Sequence, residues 1–161
     1  MVIDSIVTNE TDPNAICADR YAALHARVQL GVREQVVDAA DKLVLSVDRA
    51  GPTCRVDTDA AIGDLAYQWQ MELPKSEADP MQIAKLWDLA IKIATTEKRR
   101  ATALRDRAYL MWQVAERKRS PASWLEAADA FDAAAKANPS DPELSAGAID
   151  SRTNARLVTR R

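Results

Sequence analysis

Apolar residues recur every three or four positions through most of this chain, with polar residues between them and prolines at intervals, a periodicity that predicts helices. Asp12-Pro13 reads as a helix start, the carboxylate capping orphan N–H groups and the proline taking the first turn. A first helix is expected over Pro13–Leu30, with Cys17, Tyr21, Leu24 and Val28 on one face and Gly31 closing it. A second covers Arg33–Arg49 on Val37, Ala40, Val44 and Val47, and Gly51-Pro52 ends it. A third starts near Thr58, carries Ile62, Leu65, Ala66 and Trp69, and stops at Pro74. Asp79-Pro80 opens a fourth on Ile83, Leu86, Trp87, Ala90, Ile91 and Ala94, which Thr95-Thr96 breaks. A fifth runs over Lys98–Lys118 with Ala101, Leu104, Ala108, Met111 and Ala115. Ser120-Pro121 starts a sixth that reaches Ala137, and Asp141-Pro142 starts a seventh that is more polar all round. No interior strand is expected. Residues 1–11 alternate only weakly, which suits a flexible arm or a short docked strand ahead of a single domain over 12–161.

The apolar pattern also repeats between helices. Trp124, Ala127, Phe131 and Ala134 are followed by Pro139, and Val37, Ala40, Val44 and Val47 are followed by Pro52 at the same offsets. A small residue lets a neighbouring helix approach, larger residues fill the adjacent holes, and the proline closes the hairpin. Trp87, Ala90 and Ala94 form a third, degraded copy without its proline. On these residues the chain resembles a tetratricopeptide repeat protein. The stretch from Asp106 to Pro139 matches best, with Trp124-Leu125-Glu126-Ala127-Ala128-Asp129-Ala130-Phe131 in the place of the second repeat helix. It departs in the partner helix, which has Met111, Val114, Ala115 and Lys118 where the family prefers Trp, Leu, Gly and Tyr. Its copies are also spaced unevenly against the family's period of about 34 residues. The resemblance implies an all-α fold of antiparallel hairpins stacked as a short right-handed solenoid, with the polar seventh helix as its cap.

Composition agrees with helices and narrows the chemistry. The 161 residues include 30 alanines but only 4 glycines, 1 histidine and 2 cysteines, and alanine loses no side-chain entropy on entering a helix. His25 has no nucleophile placed beside it by any recognisable motif. The carboxylates form no HExxH or calcium-loop pattern, and the isolated glycines cannot cradle a phosphate. No enzyme activity, metal or cofactor is therefore expected. Cys17 and Cys54 match no metal or redox spacing, and two thiols do not make a disulfide framework, so reduced, half-buried cysteines are expected. The start Met1-Val2-Ile3-Asp4 lacks the basic region of a signal peptide, and no apolar run approaches the roughly 18 residues of a spanning helix. These features predict a cytoplasmic protein without membrane association.

The net charge of −2 is a cancellation. Residues 1–97 hold 9 basic and 16 acidic side chains, net −7, whereas residues 98–119 hold 8 basic and 2 acidic, net +6. Phosphate tracking needs a continuous stripe, yet at helical periodicity these cations scatter: Lys98 and Arg105 on one side, Arg99 and Arg117 on another, Arg100, Arg107 and Lys118 on a third. That scatter makes nucleic-acid binding through the fifth helix the lesser reading, and the cations are expected to pair with the acidic first half or simply to be solvated. Another set does align: Arg105, Tyr109, Trp112, Glu116 and Arg119 fall within about a 100° arc. The resemblance puts these positions in the concave groove, with His25 and Gln29 of the first helix and Tyr67 and Gln70 of the third in comparable places. Aromatics with polar tips interleaved with arginine suit capture of a peptide or protein segment. The expected function is a non-enzymatic adaptor, scaffold or chaperone-like module. A structural subunit of a homo- or hetero-oligomer is the alternative.

Overall fold

A computed structural model describes residues 11–76 and 78–160. Among these, seven α-helices follow one another: α1 (Pro13–Leu30), α2 (Arg33–Val47), α3 (Pro52–Glu72), α4 (Pro80–Ile93), α5 (Glu97–Lys118), α6 (Pro121–Ala137) and α7 (Pro142–Thr159). A single 3-10 turn, Leu73–Lys75, continues α3, and no strand occurs among the described residues. Apart from Thr11, the expected N-terminal arm lies outside them.

Local chemistry starts and stops these helices. Asp12, Asp79 and Asp141 each accept a hydrogen bond from the backbone N–H two residues on, with proline at the next position. Thr96 caps α5 by accepting from the Arg99 N–H. Ser120 and Ser123 cap α6 reciprocally, each side chain accepting from the other's backbone N–H. Gly31 ends α1 at a φ of 74°, a left-handed conformation that glycine adopts without steric cost. The boundaries differ from expectation mainly at α3. It begins at Pro52 rather than near Thr58, because a proline that ends one helix can occupy the first turn of the next. Thr58 is a fully buried interior position instead of a cap.

The helices pack chiefly as neighbours: α1 on α2, α3 on α4, α5 on α6 and α6 on α7, with α2 on α4 and α4 on α5 joining the pairs. Two apolar cores result. The first gathers Leu43, Ile62, Leu86, Trp87 and their neighbours from α1–α4 with Ala103 and Leu110 of α5. The second gathers Met111, Trp124, Phe131, Leu144 and their neighbours from α5–α7. Helix α5 thus serves both. The repeated alanines Ala40 and Ala127 are fully buried, one in each core.

The cysteines correct the sequence reading. Cys17 of α1 and Cys54 of α3 form a disulfide and are not free thiols. Their 37-residue separation concealed the pairing, because only the packing of α1 beside α3 brings the two Cα atoms to 6.2 Å.

Side-chain ties reinforce the stack. The Asp59 carboxylate, nearly buried on α3, accepts from the Thr95 N–H at 2.9 Å, the Thr95 hydroxyl at 2.7 Å and Arg99 Nε at 2.7 Å. It thereby fastens the α4–α5 turn to α3. Asn138 Nδ2 donates to the Ala101 carbonyl at 3.0 Å and joins the end of α6 to the start of α5. At the other end of α5, Arg117 Nη2 donates to the Leu73 carbonyl at 3.0 Å.

Where α7 lies on α6, a glycine permits the approach. A Cβ on Gly147 would stand 2.8 Å from the Phe131 ring, which is 2% exposed and has no room to withdraw. Gly147→Val is expected to destabilise the protein by about 2 kcal/mol through overpacking of the second core. The measurement is the midpoint of urea unfolding; an unchanged midpoint would mean that α7 is not held against Phe131.

Candidate functional site

Two separate surface cavities border helix α5. The first is a cavity of about 520 Å³ between α3 and α5, with Trp87 and Ala90 of α4 at its floor. Tyr67 and Asp64 form one wall, and Lys98, Thr102 and Arg105 belong to the other. Two arginines here are already engaged: Arg99 pairs with Asp59, and Arg105 Nε donates to Asp106 at 3.0 Å. The second cavity, of about 570 Å³, lies at the far end of α5 against α6 and α7. Trp112, Glu116 and Arg119 face Asn154, Leu157 and Val158 across it, with Trp124 at the base.

Tyr109 stands between the two cavities along the helix. Its ring meets Phe131 edge-on at 5.3 Å and is 38% exposed. Partial burial pushes the phenol above its ordinary pKa, and the carboxylates of Glu143 and Asp141 push in the same direction against Arg105. A hydrogen bond to the Glu143 side chain pushes the same way, so the phenol already has a partner on α7. Trp112 has a double place, half-buried. Its ring meets Trp124 edge-on at 5.0 Å and Phe131 at 6.0 Å, while its outer part lines the second cavity.

Of the residues expected to bind a partner, the fold brings Tyr67 and Arg105 into one cavity and Trp112, Glu116 and Arg119 into the other. His25 and Gln29 lie apart on α1, exposed, with the histidine ring tilted against Tyr21 at 4.7 Å. Gln70 is buried, with both ends of its amide used internally. Its Oε1 accepts from Trp87 Nε1 at 2.6 Å and its Nε2 donates to the Asp106 carbonyl at 2.9 Å. It bridges α3, α4 and α5 and supports the floor of the first cavity instead of touching its contents. Sequence reasoning missed the α7 wall, although the adjacent apolar pair Leu157 and Val158 near the end of α7 was a visible sign of it.

The basic helix makes pairs with the acidic half of the chain. Arg99 holds Asp59, and Arg107 Nε donates to Asp88 of α4 at 2.7 Å. Among the described residues, no group of three His, Cys, Asp or Glu side chains could hold a metal ion, and no helix is long and apolar enough to cross a membrane.

Gln70→Leu removes the acceptor of a buried indole N–H and is expected to cost about 1–3 kcal/mol in stability. Tyr67→Ser on the exposed wall should change stability by less than about 0.5 kcal/mol. Denaturant titration of both variants checks the division between support and lining; equal costs would contradict it. In comparisons with models of protein families, with curated proteins and with solved structures, the chain matches none of them.

Proposed function

We propose that this chain is a non-enzymatic, tetratricopeptide-like helical-repeat module that holds an extended peptide or protein segment along α5. The observation that supports the reading is the alignment of two cavities on one 22-residue helix with Tyr109 between them. Such a helix is about 33 Å long, and an extended segment of about ten residues matches that length. Tyrosine and tryptophan supply contact area at low entropic cost, while Glu116 and Arg119 at one end offer charges of both signs. The pairwise packing of α1–α2, α3–α4 and α5–α6, with α7 against α6, is compatible with three stacked hairpins and a covering helix. Nucleic-acid binding loses support because Arg99, Arg105 and Arg107 are each paired with an aspartate.

Selection of random peptides on the immobilised protein tests the reading. Selected peptides should bind the wild-type chain and lose about tenfold or more in affinity to Glu116→Lys and Arg119→Glu. Leu45→Ser, on the exposed side of α2, should leave binding intact. Failure to enrich any peptide, or binding indifferent to the α5 substitutions, would defeat the proposal.

One observation favours the structural-subunit reading. Ile149 and Leu157 of α7 are 64% and 53% exposed, so the terminal helix presents apolar groups to solvent. That reading expects an oligomer that persists in light scattering across a dilution series and dissociates with Ile149→Glu. A monomer at every concentration would end it.

The disulfide bears on location. Disulfides persist in oxidising compartments, and in the cytosol they are usually transient or redox-sensing. A cytoplasmic home for this chain therefore goes with a bond that opens.

A further inference from the structure

We propose that the Cys17–Cys54 disulfide is a redox latch for α1, whose reduction releases the first helix while α2–α7 stay folded. Few side chains of α1 are fully buried. This 18-residue helix buries only Cys17 and Leu24, whereas α6, at 17 residues, buries seven side chains. Tyr21 and Val28 add partial cover to the first core. Its polar ties include Arg20 Nη1, which donates to the Lys42 carbonyl at 2.8 Å and to the Ser46 hydroxyl at 2.6 Å, and Asn14 Oδ1, which accepts from the Gly51 N–H at 2.7 Å. One of the two buried side chains of α1 is thus the covalent bond itself.

The bond is also reachable. A cavity of about 520 Å³ is bordered by both cysteines, by Ala18 and Tyr21 of α1 and by Pro52 and Asp57 of α3. Each cysteine is only slightly exposed, but the space beside the pair admits a small thiol. Attack by a dithiol reductant on one sulfur forms a mixed disulfide. Its second thiol then displaces the remaining cysteine, so two electrons and two protons pass to Cys17 and Cys54 and the reductant leaves as its own disulfide. With the covalent link gone, Leu24, the partial cover of Tyr21 and Val28 and the polar contacts of α1 must hold the helix. An isolated helix of this length is marginal in water, so release is accompanied by melting. It uncovers the side of the first core formed by α2 and α3. The latch is independent of the cavities along α5 and does not rest on what they bind.

Hydrogen exchange on the full-length chain, oxidised and then reduced with dithiothreitol, tests the proposal, with thiol titration confirming each state. Reduction should lower the protection of amides 13–30 by about tenfold or more and leave α2–α7 protected. The helical circular-dichroism signal should fall by about one seventh and return on reoxidation. Cys17→Ser should behave as the reduced chain does under oxidising conditions. Unchanged protection of α1 after reduction would overturn the latch, because packing would then suffice. Collective loss of protection in all helices would overturn it equally, making the bond a staple of the entire fold. Two titratable thiols in protein purified under oxidising conditions would remove its premise.

Discussion

The structure depends on α5 having to satisfy two cores at once. Ala103 and Leu110 belong to the core shared with α1–α4, while Ala108, Met111 and Ala115 belong to the core shared with α6 and α7. With apolar groups on two sides, α5 leaves Tyr109 and Glu116 exposed and Arg105 and Trp112 half-buried between its neighbours. The cavities are a consequence of this double burial. The neighbours that cover α5 on either side also form the walls of the two cavities.

Charge organises the same helix. A run of eight cations in 22 residues would repel itself if it were only solvated, but the fold places the acidic first half within reach. Asp59 and Asp88 meet Arg99 and Arg107, and Asp59 is held by Thr95 as well. The imbalance visible along the chain therefore works as an internal attachment between α3, α4 and α5. Exposed pairs of this kind contribute little singly, whereas the nearly buried Asp59, with three donors, carries more of the load.

Much of the helical framework was legible because its signals are local. The Asp-Pro starts at 12, 79 and 141 combine a cap with a first-turn proline, and each opens a helix where the sequence places one. Pro52 was read as a stop when it is also a start, since a proline marks a boundary without stating which side of it is helical. The site was legible in part for the same reason. Residues at helical spacing on α5 share a face by geometry alone, so Arg105, Tyr109, Trp112 and Glu116 fall on one face; Arg119 lies just past the helix end in a left-handed conformation, where helical periodicity no longer applies. Gln70 had the same periodicity as Tyr67, but its amide is consumed by Trp87 and Asp106, a contact three helices in the making.

By itself, then, the sequence determined the all-helical character, nearly all the helix ends and the face of α5 that meets solvent, because capping and periodicity act over a few residues. Tertiary structure alone decided what lies opposite that face and which distant groups meet. Asn154, Leu157 and Val158 close the second cavity only because Gly147 lets α7 settle on Phe131. Cys17 and Cys54 are partners only because α1 lies beside α3. Both are contacts between residues far apart in the chain, set by how faces pack, and no short-range pattern encodes them.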